Sequence, residues 1–233
     1  MKTIITGATK GIGRALAERF AQTGTDLALS ARTSADLQTL KSDLKGRFPK
    51  IEILPFAGDM GKKGDVVAFA KMIKERWQTV DVLINNVGWY HPGNILSAED
   101  NLLEKMMNVN LFSAYHLTRS VVDLLHQNQK GHIFNMCSIA SLDAYPDGGL
   151  YTITKFALLG FSKSLRQELN DKNIKVTAVL PGPTWTPSWE GSGVSPTLMM
   201  EADEVAEAVF NAWNLGPSAV VEELLLRPQG GDF

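Results

Sequence analysis

Thr6-Gly7-Ala8-Thr9-Lys10-Gly11-Ile12-Gly13 decides the fold of this 233-residue chain. Ahead of it, residues 2–6 form a short apolar run of the kind a buried strand makes. Behind it, Ile12, Leu16, Ala17 and Phe20 recur at helical spacing until Gly24 stops the pattern. The octet is therefore read as a strand-to-helix turn. Gly7 permits a tight bend, Gly11 admits a close approach by a ligand, and Gly13 lets helix and strand pack together. Free N–H groups and a partial positive charge at the start of such a helix favour a pyrophosphate. The spacing is neither G-x-G-x-x-G nor a Walker loop, which needs Gly-Lys-Ser/Thr.

The same alternation continues along the chain. Strands are expected at residues 26–31, 51–57, 80–84, 132–137, 174–180 and 219–226. Helices are expected at 34–45, 65–77, 98–128, 151–169 and 202–213. Strict β/α alternation with apolar, β-branched strands implies a parallel sheet covered by helices on both faces. The expectation is one α/β domain over residues 1–233, a Rossmann-type doubly wound sheet of about seven strands with its ligands at the carboxyl ends of the strands. The long irregular segment 181–196 is rich in Pro, Gly, Ser and Trp, and is expected to cover the substrate.

Composition removes several classes. Hydrophobic residues are 44% of the chain and charged residues 21%, which argues against disorder and fibrous repeats. A formal net charge of −2 offers no footprint for nucleic acid or anionic lipid. No apolar run reaches the ~18 residues of a membrane span. The N-terminus turns glycine-rich too early for a signal peptide. The single cysteine, Cys137, allows no internal disulfide and fits a reducing compartment; beside Ser138 it reads as a small packing residue. His91, His116, His126 and His132 lack paired-ligand spacing, so no metal is expected. No G-x-S-x-G elbow supports a serine hydrolase. A cytoplasmic protein with no nucleic-acid or membrane partner is the expectation.

Several further motifs stand in order along the chain: Asn85-Asn86-Val87-Gly88, Asn110, Ser138, Tyr151-x-x-x-Lys155 and Pro181-Gly182. With the glycine turn, their order and spacing resemble the short-chain dehydrogenases/reductases over essentially the whole chain. Val87 stands where that family usually has alanine. Tyr151 and Lys155, four residues apart on an expected helix, share a face. A tyrosine titrates near 10, so proton transfer near neutrality needs a shift of about three units, roughly 4 kcal/mol, which a nearby ammonium could supply. The resemblance implies that Tyr151 gives or takes the proton, that Lys155 holds the nicotinamide ribose and lowers the tyrosine, that Ser138 bonds the substrate oxygen, and that Asn110 supports a water linking Lys155 to solvent.

The cofactor follows from charge. At the end of the second strand the chain reads Ala31-Arg32-Thr33, with no carboxylate to receive ribose hydroxyls, and Lys10 sits in the glycine turn. Two cations there suit a 2'-phosphate, so NADP(H) is expected; solvated surface cations are the alternative. By resemblance, cofactor contacts come from Gly7, Thr9, Lys10, Gly11, Ile12 and Gly13, from Arg32 and Asp59, and from Asn86 and Gly88. Tyr151, Lys155, Pro181, Gly182, Thr184 and Thr186 complete the set. Taken alone, Asp59 is a turn-forming acid.

Trp89, Tyr90, Tyr145, Trp185 and Trp189 fall in the segments expected to wall the substrate, which favours a flat or apolar small-molecule carbonyl; a plain hydrophobic lid is the alternative. Residues 181–190, the run from Val220 to Pro228, and Gly231-Asp232 resemble the bacterial sepiapterin reductases, NADPH-dependent enzymes that reduce carbonyls on a pterin side chain. That likeness puts Trp189 against the pterin ring and Asp232 on its amino-pyrimidine edge. A 3-oxoacyl, sugar or simple ketone reductase stays open, as does a non-catalytic NADP sensor. Apolar residues on more than one face of the two long helices (Leu111, Phe112, Tyr115, Leu117; Phe156, Leu158, Leu159, Phe161) suggest a homodimer or homotetramer.

Overall fold

In the computed structural model, which describes residues 1–125 and 131–231, seven parallel strands form one sheet. They are β1 (Lys2–Thr6), β2 (Asp26–Ala31), β3 (Ile53–Ala57), β4 (Val82–Asn85), β5 (Gly131–Met136), β6 (Ile174–Pro181) and β7 (Glu223–Leu226), in the order β3-β2-β1-β4-β5-β6-β7. The strands are apolar on both faces, as burial between two helical layers requires. On β1, for example, Ile5 joins the core under α1 (Gly11–Ala21), α2 (Ser34–Arg47) and α7 (Ala202–Trp213). Its neighbour Ile4 joins the opposite core, under α3 (Lys63–Arg76), α5 (Ser113–Val121) and α6 (Gly149–Leu169). The expected doubly wound fold is the one observed.

Winding reverses between β1 and β4, which pair directly with Thr3 opposite Val82. A crevice at the carboxyl ends of these strands is where such sheets receive ligands.

Two expected elements differ. The helix read over 98–128 begins at Leu102, because Asn101 sits in the left-handed region (φ 67°). It then changes pitch: α4 (Leu102–Met107) passes into a π turn, Asn108–Phe112, before α5. Residues 126–128 of that expected helix lie outside the described residues, as does His126. The last strand is shorter than the 219–226 expected. Before Glu223 the chain is held by other bonds: Thr177 Oγ1 donates to the Val221 carbonyl at 2.6 Å and the Ala178 N–H to the Glu222 carbonyl at 3.0 Å.

The apolar residues of the two long helices divide between two faces, one covering the sheet and one open. Leu117, Leu158 and Leu159 belong to the core, whereas Phe112, Ile153 and Phe156 face solvent at 42%, 38% and 46% exposure. Among the described residues, no helix is long and apolar enough to cross a membrane, and no group of His, Cys, Asp and Glu could hold a metal.

Candidate active site

The glycine turn lies at the β1/β4 crevice. Gly7 has φ 65° and Gly11 φ 50°, conformations that glycine adopts without cost. A Cβ on Gly13 would lie 2.1 Å from the Gly7 carbonyl oxygen, so helix and strand are packed too closely there for any side chain. Thr6 Oγ1 accepts from the Asn86 and Val87 N–H groups, both at 3.0 Å, and Asn86 Nδ2 donates to the carbonyls of Thr6 (2.9 Å) and Gly7 (3.2 Å). The ends of β1 and β4 are thus stitched together. Val87 occupies the space beside Gly7, its Cγ2 3.4 Å from where a Cβ would stand.

The residues around this turn fit a dinucleotide. Lys10 caps α1 with extended backbone and no side-chain cap, and the first turn carries no acid. The helix start therefore keeps its N–H groups and positive potential for an anion. Thr9 and Ile12 flank the turn, half-buried. Lys10 and Arg32, just beyond β2, are exposed and form no ion pair among the described residues. Asp59 acts as a turn-former in the protein itself: its Oδ1 accepts from the Gly61 N–H at 3.0 Å.

Tyr151 and Lys155 stand one turn apart on α6, and Ser138 follows the end of β5. Ser138 is also a cap, its Oγ accepting from the Ala140 N–H at 3.2 Å at the start of a 3-10 turn. Burial raises Tyr151 to about 12, and a hydrogen bond from Ser138 works against that rise. Burial also lowers Lys155 to about 8. The expected fall in the tyrosine is therefore not found in the protein alone. Lys155 Nζ donates to the Met136 carbonyl at 2.7 Å and lies 5.5 Å from the Tyr151 ring centroid. A Cβ on Gly88 would come within 3.5 Å of Lys155 Nζ and 3.7 Å of Asn110 Oδ1, so a bare backbone borders both side chains.

Asn110 sits inside the π turn, buried. Its Oδ1 accepts from the Trp89 N–H at 2.7 Å, and its Nδ2 donates to the Trp89 carbonyl and to Thr154 Oγ1, each at 2.9 Å. The amide thus grips the backbone that leaves β4. Neither this grip nor the Lys155–Met136 bond was legible in the sequence, since both join a side chain to a distant main-chain group.

The aromatic residues expected in the wall split into two groups. Trp89, Tyr90 and Tyr145 are exposed by 36%, 48% and 39%, and the Tyr90 and Tyr151 rings meet edge to face, centroids 5.2 Å apart. Trp185 and Trp189 lie on the segment after Pro181 and Gly182, half-buried. That segment is closed at its neck, where the Trp185 N–H donates to Met200 O at 2.8 Å and the Met200 N–H to Pro183 O at 3.0 Å. Buried Thr184 donates to the Gly182 carbonyl at 3.0 Å. Thr186 lays its methyl on the glycine turn, 2.7 Å from a Cβ on Gly11. Asp232 lies outside the described residues.

This doubly wound sheet, with a glycine turn at its crevice and a Ser-Tyr-Lys group beside it, defines the Rossmann-type oxidoreductase class. Within it the chain belongs to the short chain dehydrogenase family, whose pattern matches residues 2–193. Sepiapterin reductase of Chlorobaculum tepidum is 32% identical over 238 residues, spanning 99% of this chain and 97% of that protein. The alcohol dehydrogenase of the archaeon Thermococcus sibiricus, solved with 5-hydroxy-NADP, superposes with a TM-score of 0.89 at 28% identity, covering 98% of this chain and 96% of that one. L-sorbose reductase from Gluconobacter frateurii, solved with NADPH and L-sorbose, gives 0.88 at 25% identity, covering 97% and 94%.

Proposed function

We propose that this short-chain dehydrogenase/reductase reduces a carbonyl on a flat bicyclic substrate of the pterin type with NADPH. The observation that carries the reductase reading is the placement of Ser138, Tyr151 and Lys155 together at the strand ends beside the glycine turn. The cofactor is NADP(H). Lys10 and Arg32 hold its 2'-phosphate, the start of α1 its pyrophosphate, and Lys155 the nicotinamide ribose.

When bound, the cofactor supplies the hydride that reaches the carbonyl carbon. Ser138 donates a hydrogen bond to the carbonyl oxygen and polarises it. Tyr151 gives its phenolic proton to that oxygen as charge develops there. The ammonium of Lys155 stabilises the phenolate left behind, and Asn110 holds the wall that borders them both. The segment 181–196 covers the substrate within the single domain 1–233.

The pterin reading rests on the likeness to the Chlorobaculum enzyme and on Trp189 and Asp232, whose expected roles are stacking and an amino-pyrimidine contact. A second reading, reduction of a simpler ketone or a sugar, is favoured by the alcohol dehydrogenase and sorbose reductase likenesses. NADPH oxidation with sepiapterin against an aliphatic diketone separates the two. Turnover of the diketone without sepiapterin reduction removes the pterin reading and keeps the reductase. Tyr151→Phe should lose about 10²- to 10⁴-fold in kcat while NADPH binding is retained; substantial turnover by a folded variant removes the proton donor.

A further inference from the structure

Tyr90 lies on the segment that leaves β4, and its ring meets the Tyr151 ring with centroids 5.2 Å apart and planes at 89°. Rotation about its Cα–Cβ bond would carry the Tyr151 phenol and its hydroxyl along an arc unless the ring is walled. Ser138 stands by the hydroxyl end and works against the rise that burial gives the phenol. Lys155 Nζ stands 5.5 Å from the ring centroid. Tyr90 adds the aromatic surface that bears on the ring itself, in the perpendicular arrangement aromatic pairs prefer.

Tyr90 is 48% exposed, yet its backbone is held on both sides. On one side, buried Asn110 takes both polar groups of Trp89, at 2.7 and 2.9 Å. On the other, the Gly93 N–H donates at 2.8 Å to the carbonyl of Asp147, a residue in the left-handed region at φ 57°. That second bond ties the segment to the loop preceding α6, the helix that carries Tyr151. The ring thus hangs between two backbone anchors, one of them on the loop that leads into α6.

Tyr145 stands nearby, its ring seated over Gly148, where a Cβ would lie 2.5 Å from ring carbon Cε2. Burial raises both Tyr90 and Tyr145, and each is raised further by proximity to Tyr151. Both keep their phenolic protons, and neither stands on α6 one turn from Lys155 as Tyr151 does.

We infer that Tyr90 is a positioning residue: its ring sets the angle of the Tyr151 phenol so that the hydroxyl meets the substrate oxygen. The inference rests on the reading of Tyr151 as proton donor. Misplacement of a reacting group by about 1 Å can cost on the order of 10²-fold in rate, so an unsupported phenol should show itself in kcat.

The test uses the full-length enzyme, NADPH and diacetyl, a dicarbonyl too small to need the aromatic wall for binding. Tyr90→Ala should lower kcat at least ~10-fold while KM for diacetyl stays within ~2-fold, the signature of a contribution made only in the transition state. Tyr90→Phe should restore most of that loss, because the ring and not the hydroxyl acts. NADPH binding followed by fluorescence reports the fold. Where Tyr90→Ala fails to bind NADPH, Tyr90→Leu takes its place, since it keeps bulk without a flat ring. An unchanged kcat with diacetyl makes Tyr90 a wall only and overturns the inference, as does failure of Tyr90→Phe to restore the rate. Wild-type enzyme that reduces neither diacetyl nor sepiapterin with NADPH would instead remove the reading of Tyr151 on which this rests.

Discussion

Lys155 gives its ammonium to the main-chain carbonyl of Met136 at 2.7 Å, on the strand that ends two residues before Ser138. The bond aligns the cation with the site but leaves it buried, and burial lowers it to about 8 while raising Tyr151 to about 12. Reduction needs a proton on Tyr151 and charge on Lys155. Tyr151 keeps its proton throughout the neutral range, so the group that fails first as pH rises is Lys155. We expect kcat/KM for reduction to be level below pH 8. Above it, the rate should fall about tenfold per pH unit. Initial rates from about pH 6 to about pH 10 check this; a plateau that persists to the alkaline end would dissociate Lys155 from the rate.

Arg32 should decide between the two nicotinamide cofactors. It is exposed just past β2, where no carboxylate stands to receive ribose hydroxyls. Arg32→Ala should weaken NADPH binding about tenfold or more, the worth of one charge-assisted phosphate contact, and leave NADH nearly unchanged. Titrations of both cofactors against the variant measure the ratio. Equal losses would place the 2'-phosphate elsewhere.

The doubly wound parallel sheet was readable because each strand is a short apolar run and each helix a periodic one, so the alternation carried the sheet and the placing of ligands at its strand ends; that the winding reverses between β1 and β4 is seen only in the structure. The glycine turn was readable for a related reason: Gly7, Gly11 and Gly13 are needed by local geometry, and local geometry is written locally. The helix around Asn110 was not. Its π turn comes from how Asn110 engages Trp89 and Thr154, partners 21 and 44 residues away, and no period in the sequence records them. The same limit hid the Tyr90–Tyr151 contact. It also left open which of the apolar helix residues cover the sheet and which stay exposed, a division the structure makes between Leu117, Leu158 and Leu159 on one side and Phe112 and Phe156 on the other.

Gly13 gives a stability prediction. A Cβ there would meet the Gly7 carbonyl at 2.1 Å, a backbone atom that cannot swing aside. Gly13→Ala should therefore destabilise the fold by roughly 1–3 kcal/mol. Gly46, exposed in α2 with nothing near its Cβ, offers the contrast. Gly46→Ala should raise stability by about 0.5–1 kcal/mol through helix propensity. Thermal melts of both variants should move in opposite directions.

His132 gives the fold an acid-sensitive point away from the site. It is fully buried on β5, with its ring stacked on Phe134 at 3.9 Å. Thr177 Oγ1 already donates to the Val221 carbonyl, so His132 Nε2 carries the proton and donates to Thr177 at 2.7 Å. Burial, and then Lys175, lowers its titration from 6.5 to about 3. A histidine depressed in the folded state contributes stability above its unfolded value, and that stability is lost as pH falls from 6.5 toward 3. The full loss is on the order of 5 kcal/mol. Urea midpoints should fall through this window, and His132→Gln should flatten the fall even while lowering stability at neutrality. Parallel pH curves for the two proteins would show that His132 does not titrate with unfolding.

Assembly supplies the last prediction. Ile153 and Phe156, three residues apart on α6, share a face, and Phe112 lies where the π turn meets α5. All three are exposed, at 38%, 46% and 42%. Leu111, Tyr115 and Phe161 are half-buried, and the Tyr115 and Phe161 rings join α5 to α6 with centroids 6.1 Å apart. A patch of this kind on paired helices is suited to a second copy of the same chain, related by a two-fold axis that buries like against like. We expect a homodimer or homotetramer in solution. Ile153→Glu combined with Phe156→Glu places two charges in that contact and should shift the mass measured by light scattering toward the 25.5 kDa of one chain. Because Ile153 and Phe156 are exposed while Lys155 on the same helix is buried, NADPH binding by the charged variant should survive dissociation unless the site leans on the assembly for its shape. Wild-type protein that is monomeric at micromolar concentration would remove the interface altogether.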